Sequence, residues 1–413
     1  MVYPLDCSTG PHFIAPLVLN IGKRGRSALS DYSLPTSDRR KNPVQCCVVS
    51  DFIIEFGNER TKVSLGVRSL GDLGRRLTRE LGASITDAVV VITDTQVGRL
   101  YGDRVLESLS QAAFRVLQHR IDPGEASKSW AVAGEIYGFL AEHDVGRDGI
   151  IVALGGGVVS DLAGFVAATW MRGVRFVVCP TTLEADIDAA IGGKTAINIP
   201  GAKNLVGAFH QPSLVLIDPS CLNTLPPRDF RAGLAESVKH ALIASSSFLA
   251  WHETHVEPIL GLDEATILEL IQENIRIKAD IVCRDVKERT GLRAGLNFGH
   301  TIGHAIEECC GFTLRHGECV SLGMLAVCRM SRDLGLLEPS VVARVETLLT
   351  RFELPTRLVN RIEPGRILAA ARHDKKVRGG AAQLVLLEGI GRPILRGDVA
   401  ESVIREGYAS LLR

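Results

Sequence analysis

Three groups of residues have the types and spacing that chemistry needs. The first is Leu154-Gly155-Gly156-Gly157-Val158-Val159-Ser160-Asp161, which follows the apolar run Gly149–Leu154 and precedes a small-residue stretch, Leu162–Thr169. Glycines let a backbone close on a pyrophosphate, and the N-terminus of a following helix offers free N–H groups and a positive dipole end. The pattern is not G-x-G-x-x-G, so a plain tight turn with Asp161 capping the helix fits the same residues.

The second group is His300-Thr301-Ile302-Gly303-His304, with His316 twelve residues on. Histidines at i and i+4 share one helix face and can converge on one ion or substrate. The Glu that a zincin metalloprotease places after its first His is absent, and histidines that merely hydrogen-bond near a helix end have the same spacing. Glu236 and Lys239, three apart, add an oxygen ligand and a cation in the same predicted domain; alone, such a pair is an ordinary surface ion pair. The third group is Asp188, Lys194, Lys203 and Asn204, spread through a glycine-bearing segment read here as a loop. Gly192-Gly193-Lys194-Thr195 has the end of a P-loop, but position 188, where the upstream glycine belongs, is Asp, which argues against an ATPase. Two lysines and an Asn still suit a phosphate or a carboxylate.

The elements that would position these groups follow an α/β rhythm. Apolar runs at 88–93, 114–117, 149–154, 175–179 and 214–217 alternate with helical periods after Val97 and over 129–143, which predicts a parallel sheet with helices on both faces. After Leu225-Pro226-Pro227 the pattern becomes helical over 232–240, 265–282, 300–310 and 317–334. The expected organisation is a loosely ordered, dispensable extension at 1–45, an α/β domain at 46–226 and a mostly helical domain at 227–413, with the site in the cleft between them.

Composition bounds the partners. Lys+Arg and Asp+Glu are both 47, so the chain has no bulk attraction for nucleic acid or an anionic membrane, and any anion must be bound locally. Ten cysteines without C-x-x-C spacing suit reduced thiols in a cytoplasm. The early apolar stretch 13–21 contains Pro16 and lacks a preceding basic segment, and the apolar window 150–170 carries Asp161 and three glycines. Neither reads as a signal peptide or a membrane span.

Taken in order, these segments resemble 3-dehydroquinate synthase, of the sugar phosphate cyclase superfamily, from about Lys62 to Asp398. The blocks are 155–161, Pro180-Thr-Thr-Leu183, Ile191-Gly-Gly-Lys-Thr195, 203–209, Gly233-Leu-Ala-Glu-Ser-Val-Lys239, 291–307, His316-Gly-Glu318 and His373-Asp-Lys-Lys376. The resemblance implies an NAD-binding α/β domain, a helical C-terminal domain and a homodimer. It implies conversion of 3-deoxy-arabino-heptulosonate 7-phosphate to 3-dehydroquinate and phosphate: NAD+ oxidises the C5 hydroxyl, phosphate is eliminated, the ketone is reduced again and the opened ring closes by an aldol step. By the family pattern, Glu236, His300 and His316 bind a divalent metal, zinc in the first place and cobalt as the alternative. Asp188, Lys239, Lys278, Arg293 and Asn297 surround the substrate hydroxyls and carboxylate, while Arg172, Lys194, Asn204, His304 and Lys376 meet the phosphate, Arg172 from the neighbouring subunit. The matching nucleotide positions are Asp94, Gln96, Glu125, Lys128, Gly156, Gly157, Val158, Asp161, Thr181, Thr182, Lys203 and Thr224.

The chain departs from the family pattern at Gln96, Glu184, Asp186, Ala189 and Ala190, and the stretch Asp285–Gly291 is one residue longer. Competing expectations are an amino-dehydroquinate or valiolone-type cyclase and a metal-dependent alcohol or glycerol dehydrogenase. Lys278, Arg293 and Asn297 suit a substrate with a carboxylate and weigh against the valiolone and inosose branches. A dehydrogenase lacks the phosphate group of Lys194, Asn204 and Lys376 and releases NADH.

Overall fold

The computed structural model describes residues 49–412 apart from 85–86, 201, 312, 360–361 and 374–382. The 1–45 extension and Lys376 therefore lie outside the described residues. The first half builds a seven-stranded sheet from β1 (Val49–Phe56), β2 (Glu59–Gly66), β3 (Ala88–Asp94), β4 (Arg115–Ile121), β5 (Ile150–Gly155), β6 (Arg175–Pro180) and β9 (Leu214–Ile217). Their order is β1-β2-β9-β6-β5-β3-β4, parallel throughout except for the edge hairpin β1-β2. Helices α1 (Leu73–Leu81), α2 (Thr95–Val97), α3 (Asp103–Gln111), α4 (Trp130–Glu142) and α5 (Gly157–Thr169) connect these strands.

Side-chain alternation along a strand explains why the sheet is covered on both faces. In β3, Val90 and Ile92 join the larger apolar core, which also holds α4 and α5 residues, whereas Val89 and Val91 join a second core with Leu73, Leu77, Val105 and Leu109. All four β3 residues are buried, which is why the strand reads as one unbroken apolar run.

The segment expected as a loop around Lys194 is ordered backbone. Residues Ala185–Ala189 form a π-turn, and Lys194–Ile199 (β7) pairs antiparallel with Ala202–Phe209 (β8). The physical reason is that Thr195, Ala196 and Ile197 bury against α5, which the glycines on either side concealed in the pattern. Asp161 is not the helix cap either: Gly156 takes the N-cap position of α5, and Asp161 sits inside the helix, paired with Lys128.

The second half is helical: α6 (Pro227–Ala244), α7 (Ser246–Thr254), α8 (Val256–Leu260), α9 (Glu264–Arg284), α10 (His300–Cys309), α11 (His316–Asp333), α12 (Pro339–Arg351), α13 (Pro364–His373) and α14 (Glu401–Ala409). A short hairpin, β10 (Leu384–Leu387) with β11 (Pro393–Arg396), is added to it. Close approach of α11 to α6 depends on Gly317, where a Cβ would stand 1.9 Å from the Ala232 carbonyl oxygen. No described helix is long and apolar enough to cross a membrane.

Candidate active site

Glu236 lies on the inner face of α6, His300 opens α10 and His316 opens α11, so three helices deliver the predicted ligand set. Glu236 Oε1 is 3.4 Å from His300 Nε2 and 3.4 Å from His316 Nε2. It is buried and accepts no hydrogen bond among the described residues. Each imidazole is held from behind: His300 Nδ1 is 3.2 Å from the Phe298 carbonyl, and His316 Nδ1 is 3.6 Å from Glu307 Oε2. That leaves both Nε2 atoms directed at one carboxylate oxygen, as a cation bound by two imidazoles and a carboxylate requires. The residues fit a divalent cation. His304 stands beside them, its ring centroid 5.3 Å from that of His300 and 5.6 Å from that of His316, and ligand atoms of the three histidines lie within 4.8 Å of one another.

Electrostatics at His300 and Glu236 agree with this donor set, whereas at His316 a cation would have to displace a proton. Burial drives His300 well below its ordinary range, so its Nε2 keeps a lone pair. Burial alone would raise Glu236, but Lys239 and His300 outweigh it and hold the carboxylate ionised. Lys239 pairs with the other oxygen of Glu236. Burial also opposes charge on His316, yet Glu236, Glu307 and Glu184 outweigh it and raise that imidazole well above its usual value.

Asp188, at the end of the π-turn, meets the helical half. Lys278 Nζ on α9 is 2.7 Å from Asp188 Oδ1, His240 Nε2 is 3.5 Å away and Lys239 Nζ is 3.8 Å away. Burial would raise Asp188, but Lys278 and Lys239 hold it well below the carboxylate range. Burial pushes Lys278 down to about 8 against the pull of Asp188. Arg293 is buried, with its guanidinium on the carbonyls of Gly192 and Val286, and its Nε makes no hydrogen bond among the described residues. Gly192 has φ +102°, and a Cβ there would press to 2.8 Å from Arg293 Nη2, so the turn admits only glycine comfortably. Glu288, from the lengthened 285–291 segment, pairs with Lys194 and lies 3.6 Å from Arg293 Nε. Asn297, half-buried, ends the 3-10 turn that carries Arg293.

The predicted phosphate residues are spread out. Lys194 opens β7 opposite Phe209, while Asn204, with φ +54°, lies near the far end of the hairpin and donates its N–H to Asn198 Oδ1. Arg172, exposed and with φ +66°, follows α5. It is therefore a helix length, roughly 20 Å, from the Gly155–Gly157 turn, at the opposite end of the sheet. The fold does not bring it into this chain's own cleft.

The predicted nucleotide residues, apart from Lys203 on the β7-β8 hairpin, follow the carboxyl ends of strands in the large sheet. Gly156 is the N-cap of α5 and supplies no side-chain cap, so the helix N-terminus is open; the Thr181 N–H donates to the Gly155 carbonyl, and a Cβ on Gly156 would meet Thr182 at 3.1 Å. Val158 follows in the first turn, half-buried. Lys128 pairs with Asp161 and stands 3.8 Å from Glu125, and Asn198 Nδ2 donates to Glu125 at 2.7 Å. Asp94 caps α2 through Gln96 and Val97, Thr224 bonds Tyr101, and Lys203 reaches Glu307 at 3.0 Å. These residues fit a dinucleotide along the strand ends.

Sequence reasoning missed Glu307, Asn198, Glu288 and His240 as site residues. Glu307 was visible as the last residue of the 291–307 block, but its role appears only when β8 lays Lys203 across it. Of the departures, Glu184 is raised by burial and by Glu236, Asp188 and Glu307, with His316 opposing, so it adds acid beside the ligand set. Asp186 is buried with no hydrogen-bond partner among the described residues for either carboxylate oxygen, and burial, with Asp218, raises it well above its usual range.

An open parallel sheet feeding a glycine turn, joined to helices that present a carboxylate and three histidines, is an arrangement that this chain shares with solved sugar phosphate cyclases. A 2-deoxy-scyllo-inosose synthase solved with carbaglucose-6-phosphate, NAD+ and Co2+ superposes with a TM-score of 0.79 at 26% identity, covering 88% of this chain and 100% of that one. The 2-epi-5-epi-valiolone synthase of Streptomyces hygroscopicus subsp. jinggangensis 5008, solved with NAD+ and Zn2+, gives 0.77 at 28% identity, covering 84% and 96%. Family models described as 3-dehydroquinate synthase N-terminal and C-terminal match residues 118–232 and 233–377. The 3-dehydroquinate synthase of Symbiobacterium thermophilum is 42% identical over 361 residues, covering 87% of this chain and 100% of that protein. The chain belongs to the 3-dehydroquinate synthase family.

Proposed function

We propose that this protein converts 3-deoxy-D-arabino-heptulosonate 7-phosphate to 3-dehydroquinate and phosphate, as a phosphate-eliminating cyclase of aromatic amino acid biosynthesis. The observation that carries this reading is the set of buried cations, Lys278 and Arg293, beside Asp188 and the Glu236–histidine cluster. A buried guanidinium whose Nε makes no hydrogen bond among the described residues, with Glu288 3.6 Å away, suits a carboxylate on the substrate, which an inosose or valiolone precursor does not carry.

Glu236, His300 and His316 would hold a divalent cation, zinc or cobalt, and the residues from Asp94 to Thr224 described above would hold NAD+. When bound, the cation supplies acidity to the substrate hydroxyls and the nucleotide accepts and returns a hydride. Asp188 and Lys239 orient those hydroxyls, Lys278 and Arg293 grip the carboxylate, with Asn297 beside them, and Lys194, Asn204, His304 and Lys376 receive the phosphate. His304, one helical turn from His300, would move a proton at the reacting hydroxyl. Division at residue 227 into nucleotide-binding (46–226) and substrate-binding (227–413) domains accompanies this reading. So does a cytoplasmic homodimer: Arg172, remote from its own cleft, would serve the partner's.

The test is phosphate release by the purified protein supplied with NAD+ and Zn2+. The heptulosonate phosphate should be turned over and sedoheptulose 7-phosphate, which lacks the carboxylate, should not. Preference for sedoheptulose 7-phosphate would overturn the assignment.

A further inference from the structure

A chain of fully buried polar side chains runs from Asp188 into the helical half, and its hydrogen-bond direction is fixed from the far end. The Phe248 carbonyl can only accept, so His252 Nδ1, 2.7 Å away, donates to it. A neutral His252 then has only Nε2 left, as an acceptor for the Ser237 hydroxyl at 2.7 Å. With its proton spent, Ser237 Oγ accepts from Asn274 Nδ2 at 2.8 Å, and the other Asn274 amide proton goes to the Leu270 carbonyl at 2.7 Å. Asn274 Oδ1 must therefore accept, and His240 Nδ1–H, at 2.9 Å, is its donor. Ser237, His240, His252 and Asn274 are all 0% exposed, so bulk solvent does not compete for these protons.

The end of the chain is His240 Nε2, which has no hydrogen-bond partner among the described residues and lies 3.5 Å from Asp188 Oδ1. Lys278 and Lys239 approach the same oxygen, and Oδ2 accepts no hydrogen bond among the described residues. We infer that His240 is a positioning residue for Asp188: the Asn274–Ser237–His252 chain sets its ring with Nδ1–H inward and Nε2 against Oδ1, which holds the carboxylate with Oδ2 available to a substrate hydroxyl. Asp188 is ionised and Nδ1–H is committed to Asn274, so the contact attracts with a second proton on Nε2, a charge that burial opposes and Asp188 favours. This inference rests on Asp188 being the substrate contact proposed above.

Histidine-selective 15N NMR of the unmodified holoprotein tests the arrangement without a mutation, the His240 signal being assigned by its loss in His240→Gln. His240 should carry a proton on both ring nitrogens; an unprotonated Nδ1 or Nε2 overturns the proposal. Kinetics test its consequence. Asn274→Leu removes the support without touching Asp188, and misplacing a contact by about 1 Å can cost on the order of 100-fold. The variant should lose up to about that factor in kcat/KM for the heptulosonate phosphate, with a raised KM, while its metal content and NAD+ affinity stay at wild-type levels. Ser237→Ala, one link further away, should show the same signature in weaker form. Unchanged kcat/KM in Asn274→Leu overturns the positioning role. If the wild-type protein releases no phosphate at all, the proposed reaction has failed, and the NMR result still decides how His240 is set.

Discussion

His252 gives a pH dependence whose size can be worked from the structure. It is fully buried on α7, against Ser237 of α6, and burial, the dominant influence, pushes it down from 6.5 to about 4. In the unfolded chain it titrates near its ordinary value, so between about pH 4 and pH 6.5 the unfolded state binds more protons, and stability falls as the pH falls through this window. The limit is a shift of about 2.5 units at 1.36 kcal/mol each, or ~3 kcal/mol, and going from pH 7 to pH 5 costs about 2 kcal/mol of it. Urea unfolding of the wild type and of His252→Gln at both pH values isolates this contribution, because every other titrating group is common to the two proteins. Gln can still hydrogen-bond Ser237 but does not titrate. The stability gap should move against the wild type by about 2 kcal/mol on acidification. A gap that does not move would show that His252 is not held neutral in the folded protein, and the proton directions drawn from it would fail as well.

Metal analysis should separate the histidines: His300→Ala and Glu236→Ala lose the bound ion, whereas His304→Ala keeps it and loses on the order of 10²- to 10⁴-fold in turnover. Equal metal loss in all three would place His304 in the ligand set. Lys278, pushed down to about 8, should lose its charge on the alkaline side, so kcat/KM falls above that pH, and Lys278→Met should have low activity and no such limb. A wild-type profile flat to pH 9.5 would contradict this. Gly317→Val forces α11 away from the Ala232 carbonyl; it should cost roughly 1–3 kcal/mol in urea unfolding and weaken metal binding, since His316 is the adjoining residue. Unchanged metal affinity would mean that the α6–α11 spacing does not set the site.

Much of this site was legible in the sequence because its residues sit in short ordered blocks whose local form is imposed by glycine and helix period. The His300/His304 spacing specifies one helix face, and the Gly155–Gly157 run specifies a turn at a helix start. What was not legible depends on packing between distant segments. Lys194 to Asn204 reads as a loop because glycines flank it, yet it is a hairpin held by α5. Glu307 behind His316 and His240 behind Asp188 lie on the buried sides of their helices, where a polar residue looks like an interruption of an apolar face. Only the crossing of α6 with α9, and of α10 with α11, shows what they hold.

The most direct test follows NADH absorbance and phosphate together while the purified protein, loaded with Zn2+ and NAD+, turns over the heptulosonate phosphate. A cyclase that returns its hydride within each cycle should release phosphate continuously, with one 3-dehydroquinate per phosphate and no lasting rise in NADH. Accumulation of NADH in step with substrate loss, without phosphate, would contradict the account and assign the site to a dehydrogenase.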